Sequence, residues 1–200
     1  MSRLLSDRAD KTDQVVLLSS SLEDPTKSPP GLYRVGLAAI CISIFVFFLF
    51  LVFAYYWRSS HPPYWDPIPL PRTLWISTVL ILTSSITLET ARRFFRKGEW
   101  RLASRLLLAT ASLGVAFLVS QITAWRQLVA SGAFLAQNPH SSFFYLFTGL
   151  HAAHLVGGLV VLFVILLGRS KRRELVDVGT YYWHFLGLLW VALFIVLSTR

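Results

Sequence analysis

Five long apolar runs alternate with short polar segments along the chain. A helix needs roughly 20 mostly apolar residues to cross the hydrocarbon of a bilayer. The runs are continuous rather than alternating between apolar and polar residues, which is typical of helices and excludes a closed barrel. The pattern therefore predicts an all-α polytopic membrane protein, a five-transmembrane-helix bundle. Its helices are expected over residues 35–57, 73–91, 106–125, 142–168 and 179–199.

Two segments are predicted to lie outside the helices. Residues 1–32 are polar and rich in Ser and Pro, so we expect a disordered tail preceding a bundle domain over residues 33–200. The first apolar run starts too late and is too long for a signal peptide. Residues 61–71 contain five prolines, which predicts a stiff extended connector between the first two helices.

Composition supports the membrane assignment. Apolar and aromatic residues make up 54% of the chain, charged residues only 14%, and the mean hydropathy is +0.57. A soluble domain of this size carries far more charge. The composition therefore excludes a nucleic-acid-binding domain, and nucleic acid is not expected as a partner. The single cysteine, Cys41, allows neither an internal disulfide nor a cysteine metal cluster.

The basic residues predict the orientation of the bundle. With five spans, the tail and the second and fourth connections lie on one side and hold 15 of the 19 Lys and Arg residues, while the other side holds four. Basic residues concentrate on the cytoplasmic side of membrane proteins. The N-terminus is therefore predicted to be cytoplasmic and the C-terminus outside.

A pair of histidines marks an inward face of the fourth helix. His151 and His154 are spaced i, i+3 near mid-membrane, with Thr148 one turn before. A polar group in hydrocarbon needs a partner, so we expect interhelical hydrogen bonds from these residues. Metal binding is an alternative, but no carboxylate or thiol is expected at that depth. Haem ligation is another, although its third histidine, His184, is expected nearer the cytoplasmic side.

Other polar residues in the spans receive structural interpretations. Gln121 in the third helix is predicted to form an interhelical hydrogen bond, and His184 in the fifth is predicted to pair with a polar group from another helix. Glu89 is expected to reach the interface or to pair with Arg92 or Arg93, with a proton relay as the alternative. Tyr181, Tyr182 and Trp183 read as an interfacial aromatic belt, with anchoring favoured above all for the tyrosines. The sequence shows no nucleophile–base pair, phosphate loop or cofactor motif.

Three sequence blocks resemble subunit III of the haem-copper terminal oxidases. The resemblance rests on FFYLFTGLHAAHLVGG in the fourth helix, YWHFLGLLWVALF in the fifth and LPRTLWISTVLILTSSITLETA in the second. YRVGLAAICISIF is similar to the first helix kept in the family's short form. The similarity covers residues 33–198 and implies the five-helix form of that subunit.

The resemblance also implies a role. Subunit III of the family carries no haem, copper or catalytic centre, packs on catalytic subunit I, holds phospholipid and supports proton uptake. It implies a place in the bacterial inner membrane, in aerobic electron transport, beside a subunit I that carries the haem and copper. Asp177 matches the acid that precedes the family's YWHF block. The chain itself would then be part of an oxidoreductase without catalysing the reaction.

The chain departs from the family pattern at several acidic positions. Ser43 is followed by Ile44 rather than an acid, Gln121 lacks the usual following Glu-aromatic pair, and Gly187 replaces an Asp. These losses weigh against a proton antenna within the membrane. They leave open a nitric oxide reductase or a quinol oxidase as the complex. A small membrane haem protein or a transporter remains the alternative of another class, although no internal repeat favours transport.

Overall fold

A computed structural model describes residues 32–61, 70–135, 138–167 and 173–199. Five α-helices account for nearly all of them, and there is no strand among the described residues. In chain order they are α1 (Leu32–Ser59), α2 (Thr73–Arg96), α3 (Trp100–Ala130), α4 (Pro139–Leu166) and α5 (Arg173–Ser198).

All five helices are long and apolar enough to cross a membrane. Over the described residues, the predicted all-α fold with five helices of membrane-spanning length is therefore confirmed. The backbone divides into two units, Met1–Val35 and Gly36–Arg200, and the second contains the helical bundle. The predicted disordered tail falls almost wholly outside the described residues, as do residues 62–69 of the proline-rich connector.

Most of the helices are longer than the apolar runs that predicted them. α2 continues through Arg92 and Arg93 to Arg96, and α5 begins at Arg173, six residues before its predicted start. Arg side chains can lay their apolar stems along a helix and place the charge at the interface. The backbone hydrogen bonds therefore continue past the point where the sequence ceases to be apolar.

Local sequence explains where two of the helices end or begin. Gly98 adopts a φ of +83° in the tight turn between α2 and α3, a conformation that favours glycine. The Asn138 side chain accepts a hydrogen bond from the backbone N–H of His140 at 3.0 Å, and Pro139 occupies the first position of α4. A capping side chain such as that of Asn138 and a proline at the first position are both common at helix starts, since the first N–H groups lack partners within the helix.

Side-chain contacts fix the register of antiparallel neighbours. Between α2 and α3, the hydroxyls of Ser77 and Ser120 share a hydrogen bond at 2.6 Å, and those of Thr87 and Thr110 share one at 2.9 Å. α1 meets α4 through large rings, among them Phe48 against His154. The core therefore lies among α2, α3, α4 and α5, and most of the surface of α1 remains exposed.

Candidate functional site

A buried polar cluster joins the second turn of α2 to α3, nine residues before the end of α3. The Gln121 side-chain amide donates to Ser77 Oγ at 2.8 Å, and Ser77 also bonds Ser120. All three side chains are almost completely shielded from solvent. The structure thus places Gln121 in an interhelical hydrogen bond, as its position in the sequence indicates. Its carbonyl oxygen Oε1 has no hydrogen-bond partner among the described residues.

Trp183 of α5 forms the tightest contact between helices. Its indole N–H donates to Ser84 Oγ of α2 at 2.9 Å. A Cβ added at Gly114 of α3 would lie 2.8 Å from the ring, and one added at Gly158 of α4 would lie 3.1 Å from it. The ring is fully buried. The interpretation of Trp183 as part of an interfacial belt is therefore wrong, because glycines on two neighbouring helices make room for it inside the bundle.

The two tyrosines that precede Trp183 have different surroundings. Tyr181 is 49% exposed, and the guanidinium of Arg92 lies 5.0 Å from its ring centroid. Tyr182 is partly buried and donates through its hydroxyl to the backbone carbonyl of His154 at 3.3 Å. Only Tyr181 has the exposure that anchoring at a membrane surface requires.

A second tryptophan of α5 connects α2 with the histidine-bearing helix. Trp190 donates its indole N–H to Thr78 of α2 at 3.1 Å. The centroid of its ring lies 4.8 Å from that of Phe117 on α3 and 5.2 Å from that of His151 on α4. Trp190 therefore contacts the other three helices of the core at one level of the bundle.

The two histidines of α4 contact different helices. His151 is fully buried against Phe117 and Trp190, and neither of its ring nitrogens has a hydrogen-bond partner among the described residues. His154 is partly exposed, lies against Phe48 of α1 and bonds the carbonyl of Leu150 within its own helix at 2.7 Å.

The expectation that both imidazoles form interhelical hydrogen bonds from one shared face is not met in the described residues. Positions i and i+3 of a helix differ by about 60° around its axis. That difference is sufficient for one ring to point into the core and for the other to meet a separate neighbour. Thr148, one turn before His151, does join two helices, because it accepts a hydrogen bond from the indole of Trp125 on α3 at 3.0 Å.

A charged cluster joins the end of α2 to the start of α5. Glu89 lies 3.2 Å from Arg93 and 3.4 Å from Arg92, so it contacts both arginines named as its candidate partners. The imidazole Nε2 of His184 on α5 lies 3.8 Å from the same carboxylate. Glu89 therefore links two turns of its own helix and approaches the neighbouring one.

Asp177 of α5 is the second carboxylate of this cluster. Both of its oxygens accept from Arg96 at 2.9 Å, and one lies 3.3 Å from Nε of Arg92. The Asp177 side chain is only 17% exposed and that of Arg92 13%, whereas that of Arg96 is 48% exposed. The cluster holds the two helix ends together by an ion pair in which one nitrogen of Arg96, Nη2, donates to both carboxylate oxygens of Asp177, with Arg92 shared between the two acids.

The candidate metal and haem ligands lie at different levels. Trp190 marks the level of His151 on α5, and His184 precedes it by six residues, or roughly 9 Å along the helix. Among the described residues there is no group of three or more His, Cys, Asp or Glu side chains placed to hold a metal ion. Several of the buried polar groups in the described residues instead join one helix to another.

Two of the departures from the family pattern lie at packing contacts. Ile44 is buried in the core, where a carboxylate would have needed a partner. A Cβ added at Gly187 would lie 3.2 Å from Ser85 Oγ of α2. Glycine at this position therefore lets α5 approach α2 more closely than an aspartate would.

Sequence reasoning missed the residues that form the tightest contacts. Ser77 and Ser84 of α2 are seven residues apart, and so are Trp183 and Trp190 of α5. Seven residues are close to two helical turns, so each pair lies on one face of its helix. That spacing could have indicated a polar face on α2 and an aromatic face on α5. It could not show that Trp183 bonds Ser84 while Trp190 bonds Thr78, or which glycines make room for the Trp183 ring.

Comparison with known proteins identifies the family of the chain. A family model described as "Cytochrome c oxidase subunit III" matches residues 27–199. The chain is 30% identical over 180 residues to a probable cytochrome c oxidase subunit 3 from Mycobacterium tuberculosis, covering 84% of this chain and 88% of that protein.

Two further relatives have the same printed name. A cytochrome c oxidase subunit 3 from Corynebacterium diphtheriae is 31% identical over 128 residues, covering 61% of this chain and 62% of its own length. One from Synechocystis is 26% identical over 178 residues, covering 84% and 75%. With a family model matched over all five of its helices, the chain belongs to the cytochrome c oxidase subunit III family.

Proposed function

We propose that the chain is the non-catalytic subunit III of a respiratory haem-copper oxidase, and that it packs on and stabilises catalytic subunit I. The observation that carries the proposal is the family match across residues 27–199, which spans all five helices. The interhelical tryptophans and the charged cluster support it, because they build a rigid bundle. Haem and copper are assigned to the partner subunit, and none to this chain.

The exposed surface of α1 is suited to contact with lipid or with protein in the membrane. Its large apolar side chains are mostly exposed, and over residues 34–59, whose burial the structure describes, only Ile44, Phe48 and Tyr55 are buried. Helices in bilayers associate through close packing of apolar surface rather than through a hydrophobic driving force. We assign exposed helical surface of this kind to contact with the catalytic subunit and with bound phospholipid.

The orientation is part of the proposal. The N-terminus is placed in the cytoplasm and the C-terminus outside, in a bacterial inner membrane, by the distribution of basic residues. The cluster around Glu89 and Asp177 then faces the cytoplasmic side, from which a proton-pumping oxidase takes up protons. A cysteine introduced at the exposed Lys97 in a Cys41→Ser background should react with a membrane-impermeant maleimide only after the cells are opened. One introduced at Thr199 should react in intact cells, and the reverse pattern would contradict the orientation.

Cytochrome c is proposed as the electron donor of the complex because the relatives are named cytochrome c oxidase subunits. The nitric oxide reductase alternative is favoured by Ile44 and Gly187, which stand where the family carries acids. A complex that does not pump protons has no need of those carboxylates.

The proposed role is tested by removing the chain from its complex. Oxygen consumption by membranes from a deletion strain is compared with that of a strain in which the gene is restored. Without the chain, we expect the catalytic subunit to keep its haem spectrum and its initial rate, but to lose activity faster during sustained turnover. An unchanged time course would contradict a supporting role, and loss of a haem signal from fully assembled complex would contradict a non-catalytic one.

A further inference from the structure

Two side chains in the core carry polar atoms that have no hydrogen-bond partner among the described residues. His151 is fully buried and Gln121 is 1% exposed. Neither ring nitrogen of His151, nor Oε1 of Gln121, forms a hydrogen bond to any described residue. Exchanging the amide oxygen and nitrogen of Gln121 would leave the other atom unpartnered, because Ser77 occupies one position only. Among the described residues, side chains of two core helices therefore carry buried polar atoms without a hydrogen bond, and a further such atom, Arg92 Nε, belongs to the charged cluster.

The register of the helices places these two side chains at one level. Trp125 of α3 bonds Thr148 of α4, and the two helices are antiparallel. Gln121 lies four residues before Trp125, so it is level with position 152, which lies four residues after Thr148. His151 is the neighbour of that position. The two backbones thus differ in height by about one residue, or ~1.5 Å.

A second route of contacts gives the same level. Gln121 bonds Ser77 of α2, and the next residue, Thr78, accepts the indole N–H of Trp190. The ring of Trp190 lies against that of His151, with centroids 5.2 Å apart. The contacts through α2 and α5 therefore place His151 and Gln121 at one level of the bundle, as does the direct register of α3 and α4.

The chemistry of the two groups limits what can satisfy them. A buried polar side chain without a partner destabilises the fold, and internal water is the usual partner when protein supplies none. A neutral imidazole offers one N–H donor and one nitrogen acceptor, and the amide oxygen offers an acceptor. A water molecule, with two donors and two acceptors, can bond both. The described residues offer no third His, Cys or carboxylate for a metal ion.

We propose that an internal water molecule bridges the imidazole of His151 and the side-chain amide of Gln121, forming a hydrated polar site in the membrane interior between α3 and α4. The water donates to Gln121 Oε1 and bonds one ring nitrogen of His151. The site connects α4 to the polar cluster of α2 and α3. The other contacts of His151 at this level are with aromatic rings. It is independent of the oxidase assignment, since it concerns the core of this chain alone.

The direct test is a density map of the unsubstituted full-length chain, with whatever partners it retains, at a resolution that shows ordered water. We expect a peak within hydrogen-bond distance of both His151 and Gln121. Dry density between them, or a direct bond between the two side chains after a rotamer change, would overturn the proposal. The map can be obtained whether or not an oxidase subunit accompanies the chain, so failure here is distinct from failure of the proposed function.

A double-mutant cycle gives an independent test in solution. His151→Leu or Gln121→Leu alone should lower the melting temperature of the purified chain, because each leaves the other group and the water poorly satisfied. The double variant should melt at a higher temperature than the sum of the two shifts predicts. The matched cycle with His154→Leu should be additive, because His154 bonds its own helix. Additive shifts for His151 and Gln121 would contradict a shared water.

Discussion

The indole of Trp183 donates to Ser84 Oγ at 2.9 Å, and this bond joins α5 to α2 at a point where the ring also fills space beside glycines of α3 and α4. One side chain therefore contacts four helices of the bundle, counting its own. In the membrane interior, packing and interhelical hydrogen bonds hold helices together, so contacts of this kind determine whether the chain keeps a single arrangement for a partner to recognise.

Replacing Ser84 by alanine should destabilise the bundle without disturbing its shape. The change leaves the indole N–H of Trp183 without a partner inside the core, at an expected cost of about 1–2 kcal/mol. Unfolding in mixed micelles, followed by tryptophan fluorescence, measures the effect. Thr83→Ala is the matched control, because Thr83 is exposed and bonds only its own helix in the described structure. Equal effects of the two substitutions would contradict a role for the Trp183–Ser84 bond.

Adding one methyl group at Gly114 should disrupt the packing of Trp183. The new Cβ would lie 2.8 Å from the indole ring, which cannot move away because it is enclosed by α2 and α4. We expect Gly114→Ala to cost about 1–3 kcal/mol of stability. Gly157→Ala is the control, since a Cβ there meets nothing within 4 Å. If Gly114→Ala is as stable as that control in the same unfolding assay, the close approach of α3 to Trp183 is wrong.

Neutralising Asp177 should loosen the end of the bundle where α2 and α5 meet. Asp177→Asn removes the carboxylate partner of Arg96 and leaves Arg92, which is mostly buried, with Glu89 as its remaining acid. Faster hydrogen exchange is expected in the last turn of α2 and the first turns of α5. Glu174→Gln changes an exposed acid on the same helix and should leave exchange unaltered. Unaltered exchange in Asp177→Asn as well would show that the cluster does not hold the two ends.

Carbodiimide labelling should be weak and confined to Glu89. α1 contains no Asp or Glu, because Ile44 stands where the family carries its intramembrane acid. Glu89 is 29% exposed and engaged by two arginines, which limits access of the reagent. Peptide mapping after labelling gives the position, and Glu89→Gln should abolish the signal. Label that persists in Glu89→Gln would show that another carboxyl group is the reactive one.

Much of the fold could be predicted because a lipid environment permits few kinds of structure. Lipid requires long apolar helices with satisfied backbones, so the five runs alone predicted the helices. The pairing of Glu89 with Arg92 and Arg93 is equally local, since those residues are one turn apart on the same helix. Interactions within one helix depend only on spacing, which the sequence states directly.

Contacts between helices were harder to predict. The sequence alone does not tell that Trp183 lies inside the bundle, because burial of a tryptophan depends on glycines 69 and 25 residues away in the chain, at Gly114 and Gly158. The different neighbours of His151 and His154 depend in the same way on where α1 and α5 pack. Such relationships follow from the arrangement of the helices and not from periodicity.

The most direct test of the central claim is purification of the full-length chain from its native membrane through a tag. The account predicts a haem-copper catalytic subunit in equal amount with the chain. It also predicts that the haem absorption stays with that subunit when a detergent separates the two. Purification without such a subunit, or a haem spectrum that stays with the separated chain, would contradict the account.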